Sequence, residues 1–404
     1  MSALTQPETT QTVRLQQAHP PPSPTDLTSK LGIKMSEAVA SLNLPPSLLV
    51  YDCYGDNMST PSNSYLRAFE AEVAADLGFE SAVFMPSGVM AQQIALLINA
   101  GPGNARGRFV CHKSSHLLIH EKDSWKDLLQ MHADVIDSNG PLTFEDIVSA
   151  CVNTEDTPHT VFLEHPHREL GGQLTSFSDL QKISLYCRSN NVKFHMDGAR
   201  LWEASGSLEE EHRSASEICK LFDSAYVSFY KGLGGLAGSM LLGDTAFCAS
   251  ARVWLRRFGG NLFTLAPFAL TAWAGYRARY KQVGPGAVPA SFEMKARRMR
   301  EWVLSLAPGD EAEGRRLRFN PPMNVVCMVH CTILGCTSKD AVMARDAVEA
   351  KTKVRVFERI RAESADGVTF EWVCGDENYD IPAEIVVKAW DDFQSELEQI
   401  KTRV

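Results

Sequence analysis

The sequence lacks any apolar run long enough to cross a bilayer, any run of more than two consecutive Lys or Arg residues and any Cys-x-x-Cys pair. A membrane-spanning helix needs about 20 consecutive apolar residues, and no stretch of the 404-residue chain reaches that length. The net charge is −9, from 40 Lys and Arg against 49 Asp and Glu, which disfavours a nucleic-acid-binding protein. We therefore expect neither a membrane nor a nucleic acid among its partners.

The ten cysteines are scattered, mostly within apolar runs, which indicates reduced thiols in a cytoplasmic protein. Cys327, His330 and Cys331 have the composition of a metal-ligand group. Their segment alternates as a strand does, so His330 points to the face opposite the two cysteines. We expect no metal.

Composition divides the chain into three parts. Residues 1–28 are rich in Pro, Thr and Gln and contain no apolar signal segment, which predicts a disordered tail. A change of composition near the segment YKQVGPGAVPASF predicts a large domain over residues 29–280 and a smaller α+β domain over residues 281–404.

Short apolar runs alternate with helical segments through the large domain. The predicted strands include RFVCH, ADVIDS, HTVFLEHP, VKFHMDG and AYVSFYKG, and helical patterns such as FSDLQKISLYCRSNN lie between them. This alternation predicts an α/β fold with a mostly parallel sheet and helices on both faces. Ligands bind at the carboxyl ends of the strands in such sheets.

Polar residues end three of these predicted strands, although a buried strand contains few polar residues without a reason. At the first end, Ser87-Gly88-Val89 precedes a helix. Amide groups at a helix N-terminus, with a small hydroxyl beside them, suit a phosphate. A simple helix N-cap is the alternative interpretation.

The other two strand ends present a carboxylate and an amine. Asp197 ends VKFHMDG and is followed closely by Arg200, so a capping role or an ion pair would also explain it. Lys231 ends AYVSFYKG and precedes a glycine-rich segment. Desolvation there would lower its pKa and make it a nucleophile, whereas a surface lysine at a turn is the alternative.

Together, these strand ends supply what pyridoxal phosphate (PLP) requires of a protein. Lys231 offers an amine for a Schiff base, Asp197 a carboxylate that keeps the pyridine nitrogen protonated, and Ser87-Gly88 a phosphate site. His116, just after RFVCH, offers a flat partner for the ring, although it could equally be an exposed loop histidine. We therefore predict PLP as the cofactor.

Four segments carry a specific resemblance: FHMDGARLWEAS, PSGVMAQQ, SSHLLIHE and FYKGLGGLAGSMLLG. They resemble motifs of the threonine aldolase and β-eliminating lyase family, PLP enzymes with the aspartate-aminotransferase (type I) fold. The resemblance extends from about Tyr54 to Gly260. It implies a mostly parallel, seven-stranded type of sheet in the large domain.

The resemblance also implies roles for individual residues. The cofactor-binding residues would be Ser87, Gly88 and Val89 at the phosphate, His116 stacked on the ring, Asp197 at the pyridine nitrogen, Arg200 at the phenolic oxygen and Lys231 as the Schiff-base lysine. His167 matches a histidine near the substrate's β-hydroxyl group, and Tyr54 resembles an active-site tyrosine. We further predict Arg168, Arg200 and Glu121 as substrate-binding residues, with Arg257 as a second candidate for the carboxylate.

The sequence departs from the family pattern around the substrate carboxylate. An Arg-Ser-Asp-Thr opening segment is absent, and FEWVCGD, with Glu371, replaces a strand that bears an arginine in the family. Leu262, Phe263 and Thr264 replace a Met-Arg-Gln segment, and Tyr230 precedes the lysine where serine is common. These changes affect substrate contacts and leave the cofactor residues in place.

The resemblance implies a lyase that cleaves the Cα–Cβ bond of a β-hydroxy-α-amino acid, giving glycine and an aldehyde through an aldimine with Lys231. His116, His167 and Glu121 are the candidate bases. A β-eliminating lyase or an amino-acid racemase would break a different bond with the same cofactor, and a non-catalytic PLP-binding protein is the alternative from another class. The resemblance also implies a homodimer or homotetramer.

Overall fold

The computed structural model describes residues 12–16, 36–45, 64–101, 107–152, 157–210, 212–284, 287–288, 290–306 and 316–402. These residues fall into two compact units, one within residues 21–293 and one that combines residues of the N-terminal 20 with 294–404. The boundary lies within one helix, Phe292–Leu306. Among the helices of the described ranges, none has both the length and the apolarity needed to cross a membrane.

The larger unit is built around a seven-stranded sheet. Its strands are β2 (Ser81–Met85), β3 (Arg108–His112), β4 (His132–Ile136), β5 (Thr160–Glu164), β6 (Lys193–Gly198), β7 (Ser224–Ser228) and β8 (Ser239–Gly243). Its helices are α1 (residues 36–42), α2 (Tyr65–Leu77), α3 (Gly88–Ala100), α4 (His116–Ile119), α5 (Ser124–Asp127), α6 (Phe144–Val152), α7 (Phe177–Ser189), α8 (Leu201–Ala204), α9 (Ala215–Cys219), α10 (Thr245–Arg257) and α11 (Ala266–Gly275), which continues into a π-helical turn, Tyr276–Lys281.

The strand order of this sheet is β2-β8-β7-β6-β5-β3-β4. The neighbours from β7 to β4 pair in parallel, whereas β8 pairs antiparallel with both β7 and β2. Strands β5 and β7 are buried along their whole length, as the continuous apolar runs predict for a sheet covered on both faces. The predicted α/β fold with a mostly parallel sheet is confirmed.

Helix α3 is the main link between the sheet and the helical layers. Ser87 caps it, since its Oγ accepts a hydrogen bond from the Met90 N–H at 3.3 Å. Ile94 and Ala95 are fully buried in a cluster with α10 and strands β2, β7 and β8, and Leu96 is buried in a second cluster with β3 and β5. Burial of this apolar surface fixes the start of α3 against the end of β2.

The smaller unit contains an antiparallel sheet of order β12-β13-β10-β9. The strands of this sheet are β9 (Leu317–Asn320), β10 (Met328–Leu334), β12 (Ala362–Ser364) and β13 (Gly367–Val373). The short strand β11 (Val354–Arg355) is not part of it. Helices α12 (Phe292–Leu306), α13 (Ser338–Thr352) and α14 (Ala383–Thr402) complete the α+β arrangement that was predicted for the C-terminal part.

Residues 12–16 differ from the predicted disordered tail. Strand β1 (Val13–Arg14) pairs in parallel with β11, and Leu15 is fully buried. Hydrogen bonds from the Trp372 indole and the Asn378 side chain to the Leu15 carbonyl, at 2.8 and 2.9 Å, hold this segment in the smaller unit. The rest of the predicted tail, 1–11 and 17–28, lies outside the described residues.

Candidate active site

Lys231 follows β7, at the point where the chain turns back toward β8. A hydrogen bond from the Phe229 N–H to the Gly238 carbonyl, at 3.2 Å, closes the turn. Gly238 has a φ of +105°, and a Cβ there would lie 2.3 Å from Phe84 Cζ, so only glycine fits. Lys231 is half-buried in this turn, and burial together with the positive charge of Arg200 lowers the pKa of its amine.

Asp197 lies at the end of β6, directly beside Glu164 at the end of β5. Its Oδ1 accepts a hydrogen bond from the Ala199 N–H at 3.0 Å, whereas its Oδ2 is buried and has no hydrogen-bond partner among the described residues. Burial and the neighbouring Glu164 raise the pKa of Asp197, and burial raises the pKa of Glu164. Two adjacent buried carboxyl groups favour a cation beside them.

Helix α3 begins directly after β2, which lies two strands from β7 in the same sheet. The N–H groups of its first turn, which include those of Gly88 and Val89, point out of the helix and suit an anion. Gly88 is required here because a Cβ would lie 2.1 Å from the Tyr226 hydroxyl oxygen. Burial and then the charge of Asp197 raise the pKa of Tyr226.

His116 is held by a buried glutamate. Its Nδ1 lies 3.0 Å from Glu121 Oε1, which also accepts a hydrogen bond from the Gln92 side chain at 3.0 Å. The His116 N–H donates to Glu164 Oε2 at 3.4 Å. Burial lowers the pKa of His116, but the hydrogen bond with Glu121 and the charge of Asp197 outweigh it, and the net shift is upward.

Besides burial, the positive charges of Arg200 and Arg168 both act on Lys231 and lower the pKa of its amine, Arg200 more than Arg168. Both also act on Tyr230, whose pKa is raised overall by burial. The Lys231 Nζ lies 5.8 Å from the centre of the Tyr230 ring. Arg200 Nη1 lies 3.5 Å from Glu203 Oε1, an ion pair that orients the guanidinium.

His167 is buried between the end of β5 and the turn after β3. Its Nε2 lies 2.9 Å from Ser114 Oγ and 3.9 Å from Glu164 Oε2. Burial lowers the pKa of His167 to about 4, so the imidazole is neutral near pH 7. A neutral imidazole can accept a proton.

The structure therefore brings most of the predicted site residues to one edge of the sheet. Lys231, Asp197, His116, Arg168, Arg200 and Glu121 are linked by hydrogen bonds or by electrostatic effects on one another's pKa. Gly88 joins this group through Tyr226.

Three other candidates lie apart from this group or outside the described residues. Tyr54 is not among the described residues. Arg257 lies over Trp254, with its guanidinium carbon 4.5 Å from the ring centre. Glu371, in the smaller unit, accepts a hydrogen bond from Arg361 at 3.0 Å.

Sequence analysis missed two polar residues of the site, Glu164 and Ser114. Glu164 ends an apolar strand in the same way as Asp197, so the strand-end signal could have found it. Ser114 is the first residue of the segment SSHLLIHE, and nothing in that pattern distinguishes it from Ser115.

A seven-stranded, mostly parallel sheet with an antiparallel α+β unit in the same chain is the type I fold of PLP enzymes. Within that class, the chain belongs to the β-eliminating lyase family, whose sequence model matches residues 52–371. The resemblance to threonine aldolases and β-eliminating lyases is confirmed.

Two solved structures are similar over nearly the whole chain. One is a candidate L-allo-threonine aldolase from Listeria monocytogenes EGD-E, with 32% identity and a TM-score of 0.78, covering 95% of this chain and 96% of that one. The other is a candidate aromatic amino acid β-eliminating lyase/threonine aldolase from Exiguobacterium sp. 255-15, with 28% identity and a TM-score of 0.77, covering 96% and 98%.

A curated relative matches a shorter segment. The low-specificity L-threonine aldolase of Candida albicans is 32% identical over 218 residues, which is 52% of this chain and 56% of that protein. The chain thus spans little more than half the length of this relative.

Proposed function

We propose that the protein is a PLP-dependent lyase that cleaves the Cα–Cβ bond of a β-hydroxy-α-amino acid into glycine and an aldehyde. The observation that carries this proposal is the presence of two groups at neighbouring strand ends: the Lys231 amine, whose pKa is lowered, and the buried Asp197 carboxyl group, whose Oδ2 has no hydrogen-bond partner in the described part of the chain. Family membership and the similarity to threonine aldolases support it.

The residues fit PLP. The two neighbouring carboxyl groups of Asp197 and Glu164 need a cation, and a protonated pyridine nitrogen provides one. Lys231 supplies the amine for a Schiff base, and the first turn of α3 supplies N–H groups for the phosphate. When bound, PLP would supply an aldehyde for the substrate's amino group and an electron sink for the bond that breaks.

The two histidines of the site have different proposed roles. We assign the β-hydroxyl proton to His167, because this imidazole is buried and neutral near pH 7. Cleavage of the Cα–Cβ bond would then release the aldehyde and leave Cα short of one proton, which the protonated His167 would return to give glycine. Glu121 holds His116 through a hydrogen bond, and we propose that this imidazole stacks on the cofactor ring.

Substrate anchoring falls to the two arginines near Lys231. A guanidinium binds a carboxylate through two parallel hydrogen bonds, and Arg168 and Arg200 both influence the Lys231 amine. Each guanidinium also faces a carboxylate, since Arg168 Nη1 lies 3.8 Å from Glu169 Oε1 and Arg200 Nη1 lies 3.5 Å from Glu203 Oε1. We assign the α-carboxylate to Arg168, the replacement that the sequence analysis suggests, with Arg200 at the cofactor's phenolic oxygen. Tyr54 remains a proposed substrate contact on the sequence resemblance alone.

We further propose that the protein is a cytoplasmic homodimer or homotetramer. The nine cysteines in the described part of the chain are buried free thiols, which suits a reducing compartment. The family resemblance supports the oligomer, since active sites of this fold form at subunit interfaces.

A substrate panel tests the proposal. The purified enzyme, loaded with PLP, is incubated with threonine, allo-threonine, 3-phenylserine, serine and alanine, and glycine, aldehyde, pyruvate and inverted enantiomer are measured. We expect glycine and aldehyde in equal amounts from at least one β-hydroxy amino acid. Pyruvate without glycine would indicate β-elimination, and enantiomer inversion alone a racemase; either result would replace the proposed reaction.

A further inference from the structure

A serine hydroxyl bridges two buried histidines next to the proposed site. Ser114 lies in the turn after β3, and its Oγ is 2.8 Å from His112 Nδ1 and 2.9 Å from His167 Nε2. The two imidazole rings meet edge to face, with centres 4.6 Å apart and planes at 70°. Both histidines are buried, with exposed fractions of 2% and 4%.

The backbone of Ser114 determines which ring nitrogens carry protons. Its N–H can only donate, and it lies 3.0 Å from His112 Nδ1, so that nitrogen must be an acceptor. Its carbonyl can only accept, and it lies 3.3 Å from His167 Nε2, so that nitrogen must be a donor. The proton of His112 is therefore on Nε2, and so is the proton of His167.

These two assignments fix the direction of the hydroxyl group. Ser114 Oγ accepts the proton of His167 Nε2–H and donates its own to His112 Nδ1. Glu164 Oε2, at 3.9 Å from His167 Nε2, is a further acceptor on the same side of that ring. A hydrogen-bonded chain of one sense thus runs from His167 through Ser114 to His112.

The surroundings keep both rings neutral. Burial is the main cause that lowers the pKa of each histidine to about 4. The backbone of Ser138 and Gly140 partly offsets this for His112, whose Nε2 is buried without a hydrogen-bond partner in the described part of the chain. A neutral imidazole has one lone pair, and in His167 this lone pair belongs to Nδ1.

We propose that Ser114 is a positioning residue that holds His167 as its Nε2–H tautomer and so makes Nδ1 the basic atom of that ring. The catalytic part of this inference rests on the proposed function, in which His167 accepts the β-hydroxyl proton. His112 anchors the far end of the chain, because its Nδ1 is fixed by both the N–H and the hydroxyl group of Ser114. No cofactor contact is required of Ser114 itself.

Neutron diffraction from crystals of the PLP-loaded, deuterated enzyme tests the proton positions without any assay. We expect deuterium on Nε2 of both His167 and His112, none on Nδ1 of either ring, and the Ser114 hydroxyl deuterium directed to His112. Deuterium on His167 Nδ1, or on His112 Nδ1, would overturn the inference.

Kinetics test the consequence. Ser114→Ala should lower kcat about tenfold, the effect of losing one ordering hydrogen bond in the transition state, with KM nearly unchanged when rates are normalised to bound PLP. Ser114→Thr, which keeps the hydroxyl, should recover most of that loss. Ser115→Ala is the matched control, since the neighbouring Ser115 hydroxyl is buried without a hydrogen-bond partner among the described residues, and it should change kcat less than twofold by the same reasoning.

The outcomes separate this inference from the proposed function. If the wild-type enzyme releases no glycine, the proposed function fails, and the neutron maps still decide the tautomers. Two results with an active wild-type enzyme would contradict the positioning role. One is a kcat of Ser114→Ala equal to that of Ser115→Ala. The other is a lower kcat together with a higher KM in Ser114→Ala that Ser114→Thr does not restore.

Discussion

Glu164 and Asp197 show how a single pair of residues prepares a protein for a cation. The two side chains are adjacent in a parallel register, and both are buried. Burial raises the pKa of each, so each carboxyl group holds its proton more tightly than it would in water. A cationic ring nitrogen beside these two carboxyl groups would favour their charged forms. Cofactor binding is therefore coupled to the stability of this edge of the sheet.

The pH dependence of stability should reveal this pair. Because the pKa of Glu164 is raised above its ordinary value of 4.5, its proton is held more tightly in the folded state than in the unfolded state. Its contribution to stability is present below the ordinary value and is lost as pH rises through the folded-state pKa. In PLP-stripped protein, Glu164→Gln should therefore gain stability relative to wild type between pH 4.5 and pH 8, measured by urea unfolding at both values.

Glu217, a surface glutamate whose pKa is shifted in the opposite direction, provides the control. Hydrogen bonds with Ser214 lower the pKa of Glu217, so its contribution to stability is present above the ordinary value of 4.5 and is lost as pH falls below it. Glu217→Gln should therefore show no gain relative to wild type between pH 4.5 and pH 8. A Glu164→Gln curve parallel to wild type would contradict the assigned shift.

Polarity at strand ends identified much of this site from sequence. Asp197 and Lys231 interrupt apolar runs where a sheet positions ligands, and the structure places them near one another. Ser114 could not be found in this way, because its role depends on His167, which lies 53 residues further along the chain, and only the fold brings the two together.

At the scale of the element, the start of α3 depends on close packing against β7. The Tyr226 ring fills the space in which a Cβ of Gly88 would lie, with three ring or hydroxyl atoms within 2.8 Å of that position. A larger residue must move the helix terminus or the ring, and both border the proposed phosphate site.

Gly88→Ala should therefore destabilise the protein by about 1–3 kcal/mol, the usual cost of overpacking. It should also weaken PLP binding, because the helix terminus moves away from Tyr226. Urea unfolding and PLP titration measure the two effects.

Gly140→Ala is the matched control, since a Cβ there meets nothing within 4 Å. It should change stability by less than about 0.5 kcal/mol. Equal effects of the two substitutions would show that the contact between Gly88 and Tyr226 does not limit packing.

The strands of the sheet were easier to predict than their directions. Continuous apolar runs bounded by polar or glycine residues located β3 to β7, and alternation with helices predicted parallel pairing. The run Ser239–Gly243 forms β8, which is antiparallel to both neighbours. Its residues contain no signal of direction, because a fully buried strand has the same apolar pattern either way.

At the scale of the whole chain, residues 12–16 pack in the smaller unit against a strand that lies far away in sequence. Residues 12–16 pair with β11, and the Leu15 N–H donates to the Arg355 carbonyl at 3.0 Å. Composition predicted disorder for this segment because Pro, Thr and Gln predominate around it. A two-residue strand paired with a partner about 340 residues away leaves no local pattern, so sequence alone could not reveal it.

Leu15 should be the residue that holds this N-terminal segment in place. It is fully buried, so Leu15→Ala should destabilise the smaller unit by about 2–4 kcal/mol through lost burial and a residual cavity. Val13, in the adjacent strand, is 40% exposed, and Val13→Ala should cost less than about 0.5 kcal/mol. Native-state hydrogen exchange in the full-length protein provides the measurement, because amides of β13 and β11 should exchange faster in Leu15→Ala and at the wild-type rate in Val13→Ala. Unchanged exchange in Leu15→Ala would mean that the smaller unit is stable without its N-terminal strand.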